Sequence, residues 1–153
     1  MFEWGEASWL GQLVRTSVWM FPVIEAVHLL GLSMLGGLML LVDLRMLGIA
    51  LRDQPIAILA RGVQPWLVRS VVLMLATGFL LFISEAVKCY HNPAFWIKMT
   101  TLPVAIAFTF LVRQRVASRE SITTGWQSRI VAMTSIGLWT TVSVGGRWIG
   151  FSS

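Results

Sequence analysis

The chain has 153 residues, of which 56% are hydrophobic and 12% charged, and its mean hydropathy is +0.75. Soluble domains have about 45–50% apolar and about 25% charged residues, so this composition excludes an ordinary soluble domain and a disordered chain. The net charge is +5. Its cations lie at the ends of apolar runs, as in membrane proteins, and not in a nucleic-acid-binding patch. The composition predicts an integral membrane protein with the lipid bilayer, and no nucleic acid, as its partner.

The N-terminal stretch 2–15 is too short and too polar to span a bilayer. Trp4, Trp9 and Leu13 lie at roughly helical spacing, which predicts a short interfacial helix on the membrane surface. The stretch begins with two acidic residues and has no positive n-region, so we expect no cleavable signal peptide.

Four apolar runs are long enough to cross a bilayer as helices, which requires about 20 residues each. They cover residues 18–42, 66–87, 95–112 and 130–149. Pro55, Pro65, Pro93 and Gly125 interrupt the connections between them. Because the connections are short, consecutive helices are expected to be antiparallel neighbours. The sequence therefore predicts an all-α, up-down four-helix bundle that forms one transmembrane domain over residues 1–153.

The cations are unevenly divided between the two ends of the predicted bundle. One end, called the inner end here, has eight: Arg45, Arg52, Arg61, Arg69, Arg113, Arg115, Arg119 and Arg129. The outer end has four: Arg15, Lys88, Lys98 and Arg147. The positive-inside rule places the richer end in the cytoplasm. We therefore expect a multi-pass protein of a bacterial inner membrane with both termini on the periplasmic side.

Ionisable residues inside a bilayer cost about 2.5–3.5 kcal/mol each on insertion scales, so each indicates pairing or function. Six are expected in the outer half of the bundle: Glu25, His28, Glu85, Lys88, Lys98 and Arg147. Glu25 and His28 are three residues apart and share a helix face. The inner half is expected to have no comparable group away from its boundary. This one-sided concentration predicts a functional site in the outer half.

His28, the deepest of these residues, is consistent with a metal or haem ligand, a proton relay, or a hydrogen-bonded core residue. A b-type haem needs one or two axial ligands, an apolar slot, and cations near its propionates. His28 is the candidate ligand, and Lys98 and Arg147 are candidates to balance the propionates. Glu25 and Glu85 would tune the site or relay protons. The slot would lie between the first two helices, lined by Gly31, Leu32, Leu35, Met74, Gly78 and Phe82.

The second axial ligand remains open between His91, Lys98 and a methionine. A di-iron centre would need a second Glu-x-x-His pair, which the sequence lacks. Zinc would have to draw on His28, His91, Cys89 and the two glutamates, which show no recognised ligand spacing.

Two features outside the outer site also have alternative interpretations. Asp43 and Arg45, two apart, do not face each other on a helix. Each is expected either to anchor the inner boundary or to pair with another segment, such as Arg69 or Arg113. The glycines before Arg147 are expected to permit close packing around that side chain.

Three segments together resemble a family of small bacterial inner-membrane proteins of unknown function. They are Glu25-x-x-His28 followed by Asp43-Leu-Arg-Met-Leu-Gly48, then Ser84-Glu-Ala with Asn92-Pro-Ala-Phe-Trp-Ile-Lys98, and Gly146-Arg-Trp-Ile-Gly150. More distantly, the sequence is similar to the HemJ-type protoporphyrinogen oxidases and the copper resistance protein D group. The HemJ resemblance implies haem binding at His28 and Lys98. Asp43-Leu-Arg-Met replaces that family's Tyr/Pro/Arg-Leu stretch, which argues against the oxidase reaction more than against haem, and the Met/His clusters that hold Cu(I) are missing.

The leading hypothesis is thus a membrane protein that binds haem b for redox chemistry or electron transfer, with a redox protein or a second copy as partner. The competing hypothesis is a non-enzymatic structural or accessory subunit without a cofactor, in which Glu25 and Glu85 pair with Lys98 and Arg147. Whether the protein is an enzyme is left open by the sequence.

Overall fold

The computed structural model describes residues 16–85, 91–119 and 125–151, with side chains through Trp148. Four helices follow one another in these ranges. They are α1 (Met20–Met46), α2 (Ile56–Ser84), α3 (Pro93–Arg119) and α4 (Trp126–Phe151). The all-α fold with four long helices confirms the sequence prediction. The predicted interfacial helix at 2–15 lies outside the described residues.

Three of the helices are long and apolar enough to cross a membrane. They are α1, α2 and α3, with 27, 29 and 27 residues. Helix α4 has 26 residues, but it is less apolar because serine, threonine and glycine occupy much of its length. By helix length and composition, the chain is therefore a multi-pass membrane protein.

Helix α2 begins at Ile56, not at the predicted Trp66, and Pro65 lies inside it. Proline removes one backbone hydrogen bond and usually ends a helix. Here the residues on both sides of Pro65 share one buried stripe, formed by Ile56, Ala60, Val63 and Leu67. Burial of that stripe keeps the helix continuous through the proline. The apolar run was predicted to begin later because two polar residues, Arg61 and Gln64, interrupt these turns, and the structure shows that both face outward.

Helix α3 begins at Pro93, where the local sequence favours a helix start. The side chain of Asn92 accepts a hydrogen bond from the backbone N–H of Ala94 at 3.0 Å. Pro93 occupies the first helical turn, where its missing N–H costs nothing. Cap and proline together fix the point at which the chain re-enters the bundle.

The helices pair as two antiparallel hairpins. Helix α1 packs along α2, and α3 packs along α4. The hairpins meet through α1 against α4 and through α2 against the last turns of α3. In the outer half, α2 and the first part of α3 make little backbone contact, although the rings of Phe82 and Phe95 stack there at 5.4 Å. The bundle is therefore tighter at its inner end.

Helix α3 contains a π-helical turn at Thr109–Arg113. A π turn adds a residue to the helical repeat and changes which side chains face inward, and such turns are frequent at functional sites. Here Thr109 and Arg113 are both buried. The turn thus directs a charged side chain into the core of the bundle.

Candidate functional site

A buried ion pair lies near the inner end of the bundle. Nε of Arg113 lies 2.5 Å from Oδ1 of Asp43, and the two side chains are 0% and 2% exposed. Nη2 of Arg113 donates to the carbonyl oxygen of Met39 at 3.0 Å, and Ser135 Oγ donates to Asp43 Oδ2 at 2.7 Å. Asp43, Arg113 and Ser135 form the inner polar cluster. It joins α1, α3 and α4.

The inner half was expected to have no comparable ionisable group away from its boundary. Asp43 and Arg113 stand at that boundary, but the structure buries both of them inside the bundle. Both charges stand near the end of an apolar run, where a charge usually anchors the membrane boundary. Of the two interpretations offered for Asp43, the structure shows pairing with Arg113 and not boundary anchoring. The sequence could not decide between them, because the two residues are 70 positions apart and the π turn that directs Arg113 inward has no recognised sequence signature.

Arg45 is also buried, at 1% exposure. Its Nε donates to the carbonyl oxygen of Gln54 at 2.7 Å, which ties the end of α1 to the loop that leads into α2. The guanidinium of Arg69, by contrast, lies over the exposed Trp66 ring at 4.9 Å. Arg45 and Arg113 are therefore internal structural residues and do not report on membrane orientation as loop cations do.

A second set of polar contacts continues from the inner polar cluster toward the middle of the bundle. Trp139 Nε1 donates to Thr109 Oγ1 at 3.0 Å, and Thr109 Oγ1 donates to the carbonyl of Ala105 at 2.7 Å. Gln114 Nε2 donates to the carbonyl of Ala60 on α2 at 3.2 Å. Helix α3 is thus tied to both neighbours by side-chain hydrogen bonds from the residues in and beside its π turn.

In the outer half, His28 is half-buried and its Nδ1 lies 2.8 Å from Thr77 Oγ1. The single hydroxyl hydrogen of Thr77 is directed to the carbonyl of Leu73 at 2.7 Å. With the hydroxyl hydrogen assigned to Leu73, Thr77 Oγ1 accepts a hydrogen bond from Nδ1–H of His28. In the neutral imidazole this places the lone pair on Nε2. An oriented imidazole with a free Nε2 is the form that binds metals and accepts protons.

The slot predicted between the first two helices is closed. A Cβ atom on Gly78 would lie 3.3 Å from Cε1 of His28. A Cβ atom on Gly31 would lie 3.3 Å from Leu73 Cδ2 and 3.4 Å from Met74 Sδ. These glycines let α1 and α2 approach closely and leave no room for a ring between them.

Lys98 lies across the two glycines near the end of α4. A Cβ atom on Gly146 would stand 3.3 Å from Lys98 Nζ, and one on Gly145 would stand 3.6 Å from Lys98 Cβ. The glycines therefore accommodate Lys98 and not Arg147, which is exposed. The charge of Lys98 lies within electrostatic range of His28.

The structure brings His28 and Thr77 together and places Lys98 against the glycines of α4, and it leaves the other candidates nearer the surface. Glu25 and His91 are exposed, and Glu85 is half-buried just after the end of α2. Lys88 and Cys89 lie outside the described residues. Among the residues that are described, no three His, Cys, Asp or Glu side chains are grouped so that they could hold a metal ion. Thr77 and Ser135 were not identified from the sequence, because threonine and serine are common in membrane segments.

These observations define an all-helical, multi-pass membrane protein with polar side-chain clusters in both halves of its bundle. Residues 1–152 match the model of DUF6644, a family of unknown function, and the chain belongs to that family. No curated protein and no solved structure matches it. The resemblance to a family of unknown function is thereby confirmed, whereas the distant similarity to HemJ-type oxidases and copper resistance protein D stays a prediction.

Proposed function

We propose that the protein binds a b-type haem through His28 and serves in electron transfer or redox chemistry in the membrane. The observation that supports this most is the hydrogen bond from His28 Nδ1–H to Thr77, which orients the ring and leaves Nε2 able to coordinate iron. A ligating histidine usually donates the N–H of its other ring nitrogen to a protein or water acceptor. A histidine that served only the core would more often use both nitrogens in protein hydrogen bonds.

The imidazole of His28 is therefore a suitable haem ligand, but the slot predicted between α1 and α2 is too narrow for the haem ring. In this proposal His28 would hold the haem in the outer half, where its side chain is only half-buried and where α2 and the first part of α3 make little backbone contact. When bound, the haem would supply one-electron redox chemistry. Thr77 would hold the imidazole orientation, and Lys98 would provide positive charge for a propionate. The roles of Arg147, Glu25 and Glu85 rest on their sequence positions.

We also propose that α4 spans the membrane, although its composition alone does not require it. Helix α4 packs along α3, one of the three apolar helices. Two of its polar side chains, Ser135 and Trp139, are buried in hydrogen bonds to α1 and α3. Satisfied polar groups cost less in a bilayer than exposed ones. With four crossings, both termini would lie on one side. Without the buried Arg45 and Arg113 the inner end still has six cations against four, which assigns the termini to the periplasm of a bacterial inner membrane.

The visible absorption spectrum tests haem binding directly. We expect protein purified from haem-replete cells to show a Soret band that shifts on addition of dithionite. His28→Ala should abolish the band, and Thr77→Val should weaken or shift it because Nδ1–H loses its acceptor. The control His91→Ala alters an exposed loop histidine and should leave the spectrum unchanged. A folded wild-type protein without a Soret band would contradict the proposal.

The second candidate function is a structural or accessory membrane subunit without a cofactor. The inner polar cluster favours it, because its ion pair and the hydroxyl of Ser135 tie three helices together. In the form predicted from the sequence, Glu25 and Glu85 pair with Lys98 and Arg147. Exchanging the charges in Glu85→Lys with Lys98→Glu should then restore the stability lost in each single variant, in protein that remains colourless. Failure of the exchange would argue against those pairs.

A further inference from the structure

Two buried polar atoms near the inner end have no hydrogen-bond partner in the described part of the chain. They are Nη1 of Arg113 and Oγ of Ser128, and both residues are 0% exposed. Buried donors and acceptors are almost always satisfied, because an unsatisfied one costs about 1–3 kcal/mol. Each of these atoms can therefore take a partner outside the described residues, and water is the smallest such partner.

The positions of Ser128 and Arg113 connect both residues to the inner polar cluster. Ser128 and Ser135 are seven residues apart on α4, two helical turns, so they share a face. Ser135 donates to Asp43 in the inner polar cluster. Ser128 lies on that same face, two turns closer to the inner end of the bundle.

Small side chains occupy the turns between Ser128 and the ion pair. On α4, Ala132 lies one turn from Ser128, and on α3, Ala117 lies one turn from Arg113. On α2, the carbonyl oxygen of Ala60 accepts the hydrogen bond of Gln114. All three alanines are at most 1% exposed. This layer thus combines short side chains with a side-chain amide and two unsatisfied polar atoms. A buried water needs such room and two to four polar partners.

The opposite charges of the inner polar cluster favour a neutral molecule beside Nη1 of Arg113. The guanidinium of Arg113 already faces the carboxylate of Asp43. An anion at Nη1 would be buried beside that carboxylate, and a cation beside that guanidinium, and both are costly in a low-dielectric interior. Water can accept from Nη1 and can both donate to and accept from a serine hydroxyl.

We propose that the inner half of the bundle contains a hydrated site between Ser128 and Arg113. Its ligand is water, which reaches the Asp43–Arg113 pair from the inner end and gives this buried carboxylate access to solvent protons. The site does not depend on haem binding at His28. The two are tested by different measurements, so either can fail alone.

Reactivity of an introduced thiol with hydrogen peroxide, a neutral molecule close to water in size, measures whether the site is hydrated. The variant Ser128→Cys is nearly isosteric and is made with Cys89→Ser to remove the native thiol. Two matched controls in the same background are Gln127→Cys, which is exposed, and Leu67→Cys, which is buried in apolar surroundings at 1% exposure. Protein in detergent micelles is treated with hydrogen peroxide, and the remaining thiols are counted with a fluorescent maleimide after denaturation.

For a hydrated site, Ser128→Cys should react within about tenfold of the exposed control, while Leu67→Cys reacts at least about a hundredfold more slowly, because thiol reactivity follows solvent access. A rate for Ser128→Cys as slow as that of Leu67→Cys would overturn the proposal.

Stability of Ser128→Ala gives an independent answer without a cysteine. If the hydroxyl binds water, its removal should lower the folding equilibrium constant about fivefold, which is the usual worth of one hydrogen bond. If the hydroxyl is dry and unsatisfied, its removal should leave the constant unchanged or raise it, and that result would overturn the proposal.

Discussion

Ser135 donates a hydrogen bond to Oδ2 of Asp43 across 2.7 Å, although the two residues are 92 positions apart in the chain. The other carboxylate oxygen, Oδ1, accepts a hydrogen bond from Nε–H of Arg113. Asp43 thus has a partner on each oxygen, one from α4 and one from α3. A buried charge is tolerated only with such pairing, because removing an ion from water costs several kcal/mol. The geometry of these three residues sets the register of three helices.

Removing Asp43 should strongly destabilise the protein. Asp43→Leu leaves the guanidinium of Arg113 buried without its counter-ion, and such a change costs about 3–5 kcal/mol. The double variant Asp43→Leu with Arg113→Leu removes both charges and should recover most of that loss. Thermal unfolding in detergent micelles measures both. Equal stability of the single and double variants would show that the pair is not electrostatically coupled.

The contact between Trp139 and Thr109 should appear as a coupling energy. Trp139→Phe and Thr109→Val each remove one side of the hydrogen bond, and each should cost about 1 kcal/mol. Because they break the same contact, the double variant should cost less than the sum, by about 0.5–1.5 kcal/mol. Additive losses in this double-mutant cycle would mean that the hydrogen bond does not form.

Two glycines of α2 should respond differently to alanine. A Cβ atom at Gly62 meets nothing within 4 Å, so Gly62→Ala should stabilise the helix by about 0.5–1 kcal/mol. A Cβ atom at Gly78 would press on His28 at 3.3 Å. Gly78→Ala should therefore lose that gain and shift the ¹⁵N resonances of the His28 ring.

Unfolding measurements and histidine NMR spectra check this pair of variants. The wild-type spectrum should also show a proton on Nδ1 of His28. An unchanged histidine spectrum in Gly78→Ala, with the same stabilisation as in Gly62→Ala, would place His28 elsewhere.

The loop after α1 contains a strained residue. Leu51 has φ of 52°, in the left-handed region, which costs a residue with a Cβ atom about 1–2 kcal/mol. Leu51→Gly removes this strain but adds freedom to the unfolded chain, worth about 0.5–1 kcal/mol. We expect a net gain of up to about 1 kcal/mol in the free energy of unfolding. The neighbouring exposed Ile49 has no positive φ, so Ile49→Gly should only destabilise.

Much of the architecture followed from the sequence. Run length and hydropathy predicted four helices, since a membrane segment satisfies its own backbone hydrogen bonds and must be long and apolar. The bounds were less accurate. The start of α2 was placed ten residues late, at Trp66 and not at Ile56, because polar residues on the outward face of its first turns concealed a buried stripe.

The candidate site was predictable only in part. His28 stood out because an imidazole in a membrane helix is rare, and the structure gives it an oriented ring. Its partner Thr77 lies 49 residues away and has no distinctive sequence context. The glycines at 145 and 146 were expected to accommodate Arg147, yet they accommodate Lys98, because which neighbour fills the space above a glycine depends on the register between α3 and α4.

By itself, then, the sequence determined the class of protein, the number of helices and their antiparallel order, which are properties of single segments and short connections. Only the tertiary structure decided where the charges go. An aspartate at position 43 and an arginine at position 113 look the same in the sequence whether their side chains face lipid headgroups or each other. Their burial results from a π turn and from the packing of three helices, and these depend on contacts between residues far apart in the chain.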